Sequence, residues 1–383
     1  MSRLTRFVAQ NFRNLEHVEL DVPDGGLVVV GDNGHGKTNL LEAIAYLHAL
    51  RSVRGARDVD LTRFGAPGFH LAAACAGFMN QEIRVGFERA SRRKRVMLDG
   101  SPTARLTDGL GALPSVTVAP RDVELIAGAP SERRRYLDVL LALSSPRYLS
   151  ALQDYRAALV RRNATIRAVA SGRGGAEAEA RLAAWEGPLV TAGATLCHLR
   201  HHWVLESGPR YAELCEALGE RVSASLRYRA SIDGLFSRGS SEDDVRSALQ
   251  AAFGAHRASD LRRGATMIGP HRDDLELRLG GRLLRTFGSA GQQRSGSLAL
   301  RVLEAESLER HIGRQPLLLL DDPFAELDRD RSRRVLDLLE ARLSAQVILA
   351  VPRPDDVPGA FTGLARFRMS DGVVSPWPEE AHA

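Results

Sequence analysis

The stretch Leu27-Val28-Val29-Val30-Gly31-Asp32-Asn33-Gly34-His35-Gly36-Lys37-Thr38 decides the fold. Its apolar start predicts a short buried strand, and the residues from about Thr38 to Ala49 carry the period of an amphipathic helix. The turn between them, Gly31–Thr38, fits G-x-x-x-x-G-K-[ST]. Glycines there let backbone N–H groups curl round phosphates with no Cβ in the way. The helix N-terminus adds partial positive charge. Lys37 then reaches the β- and γ-phosphates, and the Thr38 hydroxyl becomes a ligand for Mg²⁺. Asp32, Asn33, Gly34, His35 and Gly36 complete the candidate nucleotide-binding loop, although the motif leaves the identity at His35 open. An ordinary glycine turn does not explain the lysine. Lysine occurs only at Lys37 and Lys94 among 52 basic residues, so its retention suggests a site that needs a compact point charge.

A phosphate loop needs a second metal anchor at the tip of a buried strand. Far downstream, Leu317-Leu318-Leu319-Leu320-Asp321-Asp322 supplies one. The leucines place the strand in the core, and two carboxylates emerge from it. Asp321 is the candidate metal ligand with Thr38, and Asp322 the candidate catalytic group that orients or deprotonates an attacking water. Neither lysine lies in an N-K-x-D element, which argues against GTP as the nucleotide.

Further outward, strand patterns are expected at 17–22, 81–88, 115–119, 222–229, 273–279 and 346–350, with an Asp99-Gly100 hairpin turn and a Gly280-Gly281 turn. From about Ser131 to Gly219 the chain reads as helices, with a flexible turn at 171–175. Prolines at 130, 146, 188 and 209 are expected to divide that region. A helix is expected from near Gly291 and another over 329–343, and the tail from Pro376 is expected to be disordered. The fold class is therefore α/β, a P-loop domain with a mixed, parallel-rich sheet plus an inserted, mainly helical lobe. Residues 1–118 and 268–383 would build one parallel-rich sheet from both ends of the chain, and 119–267 would be the inserted arm.

Composition bounds the partners. The formal net charge is +5, and 44% of residues are apolar, which suits a soluble chain with mild affinity for polyanions. No stretch reaches the roughly 18 apolar residues of a membrane span. The opening segment lacks a signal-peptide pattern, so a cytoplasmic location is expected. Cys75, Cys197 and Cys215 are too few and too scattered for a disulfide framework or a paired zinc site. His198, His201 and His202 read as a solvated helix face.

Before the acidic strand, Gly288-Ser289-Ala290-Gly291-Gln292-Gln293-Arg294 opens a helix. Serine, glycine and a helix N-terminus can bind an anion, and an N-cap serine accounts for the segment equally well. The full set resembles the head of an ABC-type ATPase: phosphate loop, S-x-G-Q signature, acidic strand tip, then Ala325-Glu326-Leu327-Asp328. Within that superfamily the chain resembles the RecF family of bacterial recombination-repair proteins. The matching segments are Asn11-Phe12-Arg13-Asn14, Gly31–Thr38, Pro130-Ser131-Glu132-Arg133-Arg134-Arg135, Gly269-Pro270-His271-Arg272-Asp273-Asp274, Ser289–Arg294 and Asp321–Asp328.

The resemblance implies an ATP-dependent head-to-head homodimer. Ser289 and Gly291, with Gln292, would act in trans on ATP held at Lys37 of the other subunit. It also implies binding to DNA at gaps or single/double-strand junctions, work with RecR and RecO, help in recombinase loading, and a weak, DNA-stimulated ATPase that releases the clamp. The chain departs from the pattern at Arg121, where the family usually has an acidic residue, and after strand 346–350, where Val351-Pro352-Arg353 has no obvious equivalent of the histidine or related polar group that ABC heads often set against the γ-phosphate. Asp322 stands where transporters carry glutamate, and the shorter carboxylate predicts slow hydrolysis.

Residues 119–170 hold nine arginines against five acids. Arg133, Arg134, Arg135, Arg161 and Arg162, with Arg156 and Arg167, are therefore candidates for phosphate contacts, the alternative being a solvated helix face. With aromatics at 5%, backbone contact is expected over base stacking. A transporter's nucleotide-binding subunit is the alternative reading. It leaves the arginine-rich insertion unexplained. A long-armed SMC protein is excluded by the broken helical region.

Overall fold

The computed structural model describes residues 3–171, 178–237, 239–325, 327–340 and 345–377. Residues 172–175 of the expected turn, Glu326, 341–343 of the expected helix and the tail from 378 lie outside the described residues. Strands are numbered along the chain. The chain divides into two compact units, the first comprising the residues up to Asp122, Ala217–Gly219 and those from Leu298 onward, the second Val123–Glu216 and Glu220–Ser297.

Two six-stranded sheets build the first unit. One is antiparallel, in the order β2-β1-β4-β5-β6-β7, from β1 (Arg3–Phe12), β2 (Leu15–Asp21), β4 (Gly68–Ala76), β5 (Glu82–Glu88), β6 (Arg93–Leu98) and β7 (Ser101–Pro102). The other runs β15-β14-β3-β13-β12-β8, from β3 (Gly26–Val30), β8 (Ser115–Val118), β12 (Leu317–Asp321), β13 (Val347–Val351), β14 (Ala365–Ser370) and β15 (Val373–Pro376). Strands β3, β13, β12 and β8 pair in parallel, and β14 joins β3 in parallel. Every residue of β3 and β13 is buried, as continuous apolar runs in a doubly covered parallel sheet require.

The parallel sheet does draw on both ends of the chain. It is not the only sheet, however. The N-terminal strands other than β3 form the antiparallel layer, because their side chains alternate: β4 and β5 bury every second residue, which suits one covered face. The helix Lys37–Ala49 supplies much of that cover. Tyr46 meets Phe12 and Phe69 edge to face at ring distances of 6.1 and 5.5 Å. Lys94, the second lysine, donates to Leu50 O at 2.6 Å, pairs with Asp58 at 2.9 Å and lies over the Tyr46 ring. Its point charge is structural.

The second unit carries the helices Pro130–Ser144, Pro146–Ala170, Ala178–Ala217 and Glu242–Arg263 and a small sheet of β9 (Ala224–Arg229), β10 (Asp274–Leu279) and β11 (Arg282–Leu283). It extends to Ser297 where the sequence placed the boundary at 267/268. The reason is pairing: β10 binds β9 antiparallel from Asp274↔Arg229 to Leu279↔Ala224, which holds residues 274–283 with the helical unit. Pro130 and Pro146 start helices, as proline at the first turn can. Pro188 and Pro209, however, lie inside the helix Ala178–Ala217 and do not divide it. Each removes one backbone donor, and buried neighbours such as Leu189, Val190 and Tyr211 hold the helix by packing.

Two of the arginines expected to contact DNA are interior ties. Arg133 is 2% exposed. It grips the Asp274 carboxylate with two nitrogens at 2.8 and 3.0 Å and donates to the carbonyls of Ile126 and Gly128. Arg162 is fully buried and donates to Asp260 and Thr266 at 2.7 and 2.8 Å. Neither can meet a phosphate without abandoning its carboxylate partner. Arg134 donates to Asp273 O at 2.8 Å, so the Pro130–Arg135 and Gly269–Asp274 segments are stapled together. His271 is held between Tyr155 Oη at 2.7 Å and Thr266 O at 3.0 Å, and burial pushes its imidazole down to about 4.

In the helix Ala178–Ala217, His201 stacks on Phe236 and His202 lies 3.2 Å from Glu206. No group of three potential metal ligands occurs among the described residues. Nor is any described helix long and apolar enough to cross a membrane.

Arg133→Ala should lower stability by about 1.5–3 kcal/mol, the scale of hydrogen bonds to a charged group. It should be read as a shifted urea midpoint at near-unchanged slope. A loss below about 0.5 kcal/mol, typical of surface sites, would return Arg133 to the pool of solvent-facing cations.

Candidate functional site

The site forms at one edge of the parallel sheet. Register brings the strand ends level: Val30 pairs with Val351, and Ala350 with Asp321. Residues just beyond β3 and β12 therefore meet, as ligand sites in open α/β sheets do outside the carboxyl ends of strands. Thr38 Oγ1 donates to Asp321 Oδ1 at 3.1 Å. Lys37 Nζ folds over the loop and donates to Gly31 O at 2.5 Å and Asp32 O at 2.9 Å. Burial pushes the Lys37 ammonium below its ordinary value, and the carboxylates of Asp321, Asp322 and Asp32 oppose that shift. Burial likewise raises Asp321, against the Thr38 hydrogen bond and Lys37. Each desolvated charge is thus tolerated through the other.

Loop conformation is set by its own backbone and by a neighbouring polar net. Gly36 sits at φ +112°, in the left-handed region, and a Cβ there would meet the Asn14 amide at 2.7 Å. Asp32, Asn33 and Gly34 are exposed at the crest of the loop. Asn14 Nδ2 donates to His35 O at 3.1 Å, and Asn39 Nδ2 donates to Asn14 Oδ1 at 2.8 Å. The turn between β14 and β15 closes the other side. Asp371 and Gly372 both have positive φ, the conformation of a tight type I′ hairpin. Gly372 N donates to His35 O at 2.8 Å, and Asp371 N donates to His35 Nδ1 at 2.9 Å. The His35 ring is therefore turned to Asp371.

Behind the loop, Glu42 is 1% exposed and is held by Arg13 at 3.0 Å, Arg54 at 3.4 Å and Ser52. Arg54 also donates to Asn39 Oδ1 at 3.1 Å. Sequence patterns alone gave no role to Asn14, Asn39, Glu42, Arg54 or the Asp371-Gly372 turn. One signal was present for Glu42, a carboxylate on a helix otherwise buried nearly all round. Asn14 closes the Asn11–Asn14 turn, in which Asn11 and Arg13 both take positive φ.

Asp322 directly follows Asp321 at φ +44°, an uncommon conformation outside glycine that short polar residues tolerate. Its N–H donates to Ala350 O at 2.9 Å, and its carbonyl accepts from Ala325 N. Asp328 then caps the helix Arg329–Glu340 by accepting from Arg331 N at 2.8 Å. A hydroxyl and a carboxylate at hydrogen-bond distance form a hard-oxygen pair that suits Mg²⁺, a cation that takes one or two carboxylates and fills its remaining positions with water and phosphate oxygens. The residues present therefore fit both the metal and a triphosphate.

Ser289, Gly291 and Gln292 belong to the second unit. Ser289 Oγ accepts from Gln292 N at 3.2 Å, and Gln292 Oε1 accepts from Ser289 N at 3.0 Å. That reciprocal pair is a capping box. It uses an acceptor position of the Ser289 hydroxyl and leaves its proton for another acceptor. Ser289 is exposed and Gly291 half-buried. Of the remaining arginine candidates, Arg161 lies over the Trp185 ring at 5.1 Å and is exposed, and Arg135 is half-buried.

Residues 3–372 match the family described as the RecF/RecN/SMC N-terminal domain. The chain is 36% identical to the DNA replication and repair protein RecF of Roseiflexus castenholzii, covering 97% of this chain and 99% of that one. It is 39% identical to the protein of the same description from Anaeromyxobacter sp. strain K, covering 98% and 99%. Among solved structures, it is similar to one described as the recombination mediator protein RecF with ATP in the RecFOR pathway, with a TM-score of 0.88, 27% identity and 98% of each chain covered. The Smc head domain of Pyrococcus furiosus, at TM-score 0.55 and 19% identity, shares the fold.

Asn14→Ala should remove the amide's contacts to His35 O on the loop and to Asn39 on the helix while leaving Lys37 and Thr38 in place. Affinity for a fluorescent ATP analogue should fall about tenfold, the equivalent of ~1.4 kcal/mol. Wild-type affinity would mean that the loop holds its shape without Asn14.

Proposed function

The chain belongs to the RecF family, and on that premise we propose that it is an ATP-switched DNA-repair protein whose two copies clamp together on nucleotide. The observation that carries this reading is the meeting of Thr38 and Asp321 beside Lys37. It assembles phosphate, metal and acid functions from segments at opposite ends of the chain.

ATP is the substrate. Its β- and γ-phosphates lie against the N–H groups of Gly31–Thr38 and the Lys37 ammonium, which exchanges its carbonyl partners for phosphate oxygens. Thr38 and Asp321 would hold Mg²⁺, which when bound would neutralise charge on the phosphates. Asp322 orients the attacking water and takes its proton. Ser289 and Gly291 cap the γ-phosphate from the second copy, the Ser289 hydroxyl donating while its oxygen still caps its own helix. Gln292 keeps that serine in place through the capping box. Loss of the bridging phosphate on hydrolysis removes the shared contact, so ATP biases a monomer–dimer equilibrium.

Turnover is slow, because aspartate reaches less far than glutamate, and Pro352, directly after β13, has no side-chain donor to offer the γ-phosphate. DNA binding at gaps or junctions, stimulation of hydrolysis by DNA, partnership with RecR and RecO and assistance to recombinase loading follow from the family reading. The RecFOR description of a solved relative supports the partners.

Sedimentation velocity with ATP and Mg²⁺ tests the shared site. Wild type should dimerise, whereas Lys37→Met and Ser289→Arg should remain monomeric. Ser289→Arg should still bind nucleotide, because it leaves the phosphate loop intact. A Ser289→Arg chain that dimerises like wild type would remove the trans contact. Asp322→Asn should slow hydrolysis at least 10²-fold, the usual scale of a lost general base, and prolong the ATP dimer. An Asp322→Asn protein with wild-type turnover would reassign the base.

A further inference from the structure

With Arg133 and Arg162 committed to interior carboxylates, the question of which cations face a polyanion opens again. The first unit contains a stronger candidate than the arm. The β5–β6 hairpin reads Glu88-Arg89-Ala90-Ser91-Arg92-Arg93-Lys94-Arg95, five cations to one carboxylate within eight residues. Arg89, Arg92, Arg93 and Arg95 are all exposed. Among the described residues, none of these four side chains has a hydrogen-bond or ion-pair partner in the structure.

That is unusual for this sheet. Arg3 pairs with Asp24, Arg6 with Glu19, Arg63 with Glu16 and Arg84 with Glu82. Elsewhere on this layer arginine is neutralised locally, and at the hairpin it is not. Clustered like charges repel in the folded state, so the arrangement favours an external anion. Glu88, the lone acid, accepts from Ser91 Oγ at 2.5 Å.

The hairpin is also held firmly. Pairing is continuous from Ile83↔Leu98 to Glu88↔Arg93, and Arg89 N donates to Pro67 O at 2.8 Å. Lys94 is drawn to the covered face by Asp58, Leu50 O and Tyr46. Strand alternation therefore puts Arg93 and Arg95 on the other face, about 6.7 Å apart. Opposite Arg95 is Gly86, where even an added Cβ would meet nothing closer than His70 Nδ1 at 3.9 Å. The face beside Arg95 is thus open to close approach. At the tip, Arg92 takes φ +52°.

We infer that this hairpin is a docking surface for the phosphate backbone of duplex DNA, with Arg89, Arg92, Arg93 and Arg95 as its contacts. The inference rests on the DNA-binding reading above and adds its location. Guanidinium forks match phosphate oxygens two at a time. The hairpin tip carries no aromatic residue for stacking, so it contacts backbone and carries little sequence preference. Phe64, on the loop leading to Pro67, is 97% exposed. An apolar residue near cations also suits an anionic lipid surface, which the test must separate.

The experiment compares wild type with a variant carrying Arg89→Gln, Arg92→Gln, Arg93→Gln and Arg95→Gln, both with ATP and Mg²⁺. A labelled 30-base-pair duplex is titrated at several salt concentrations, and ATP-analogue affinity and thermal midpoint are measured alongside. The variant should bind duplex at least tenfold more weakly. Its log–log salt slope should be shallower by about 0.9 for each phosphate that is no longer neutralised. Nucleotide affinity should stay at the wild-type value, since the nucleotide site draws on none of these four arginines, and the thermal midpoint should not fall, since the substitutions relieve repulsion.

Wild-type affinity and slope in the variant would overturn the hairpin surface while leaving DNA binding intact. A wild-type protein with no salt-sensitive duplex binding would instead sink the DNA reading itself. Phosphatidylserine vesicles, captured by wild type and not by the variant while duplex binding stays equal, would assign the surface to lipid and overturn the proposal.

Discussion

A hydroxyl and a carboxylate 283 residues apart meet at the edge of the parallel sheet, and the geometry of the candidate site depends on that meeting. No local segment can enforce it. The constraint is strand register. β13 pairs with β3 on one side and β12 on the other, so a one-residue slip in either ladder would carry Asp321 away from Thr38. Register is in turn secured by burial, since Val28, Val29, Leu319, Leu320, Ile348 and Leu349 are almost wholly inaccessible and a slip would turn their faces. Gln346 adds a polar fastening. Its amide exchanges hydrogen bonds with both backbone groups of Leu4 and donates to Pro23 O, tying the sheet that carries the site to the first strand of the antiparallel layer.

The sequence made the site legible because phosphate chemistry needs rare combinations. Gly36 and Lys37 occur together for reasons a turn alone does not supply, and two aspartates after four leucines are equally hard to read as filler. Much of the surrounding scaffold was not legible. β4 reads Gly-Phe-His-Leu-Ala-Ala-Ala-Cys-Ala, and alanine contrasts too weakly with its neighbours to announce a strand. β1 carries Arg3 and Arg6 within its alternation, which hides the apolar face. The helix Glu242–Arg263 did have its signal, a Ser241–Asp244 capping box, ahead of buried Val245, Leu249 and Phe253. The antiparallel sheet was missed for a topological reason as well, because alternation reveals a covered face without naming the sheet it belongs to.

Arginine shows the same limit at the level of a single side chain. A count over 119–170 sees Arg133, Arg161 and Arg162 as equals. In the fold Arg161 is solvent-facing over Trp185, whereas its neighbour Arg162 is locked to Asp260, ninety-eight positions away. Arg200 is also interior, donating to Tyr148 Oη, Pro270 O and Asp138 at 2.6–2.8 Å. Burial alone would raise the Asp138 carboxyl, yet Arg200, Tyr148 and Arg156 hold it below its ordinary value. Where lysine is nearly absent, arginine does duty as both core fastener and surface charge. The distinction lies in the partner, which is far away in sequence.

Interior ion clusters of this kind rarely add stability relative to well-packed apolar residues, and their better-attested use is to specify one arrangement. The first unit offers a case at its covalent margins. Apart from the short Ala217–Gly219 segment, the chain leaves it after Asp122 and re-enters at Leu298. Asp122 accepts from Ala119 N at 2.8 Å and from Arg301 at 2.6 Å, and Arg301 also holds Glu304 at 2.7 Å. Burial raises the Glu304 carboxyl against the pull of Arg301. Both crossing points are therefore fastened to each other within the same unit, by a charge-assisted bond that leucine or methionine could not direct. An apolar substitute would fill the space but leave the exit free to shift against the entry. The helix that re-enters there, Ala290–Ile312, begins at the Ser289 capping box, so the position of its C-terminal part is fixed by the Asp122 contact. A buried triad at this place is better understood as a positional constraint on the Leu298–Ile312 part of that helix, within the first unit, than as a contribution to folding free energy.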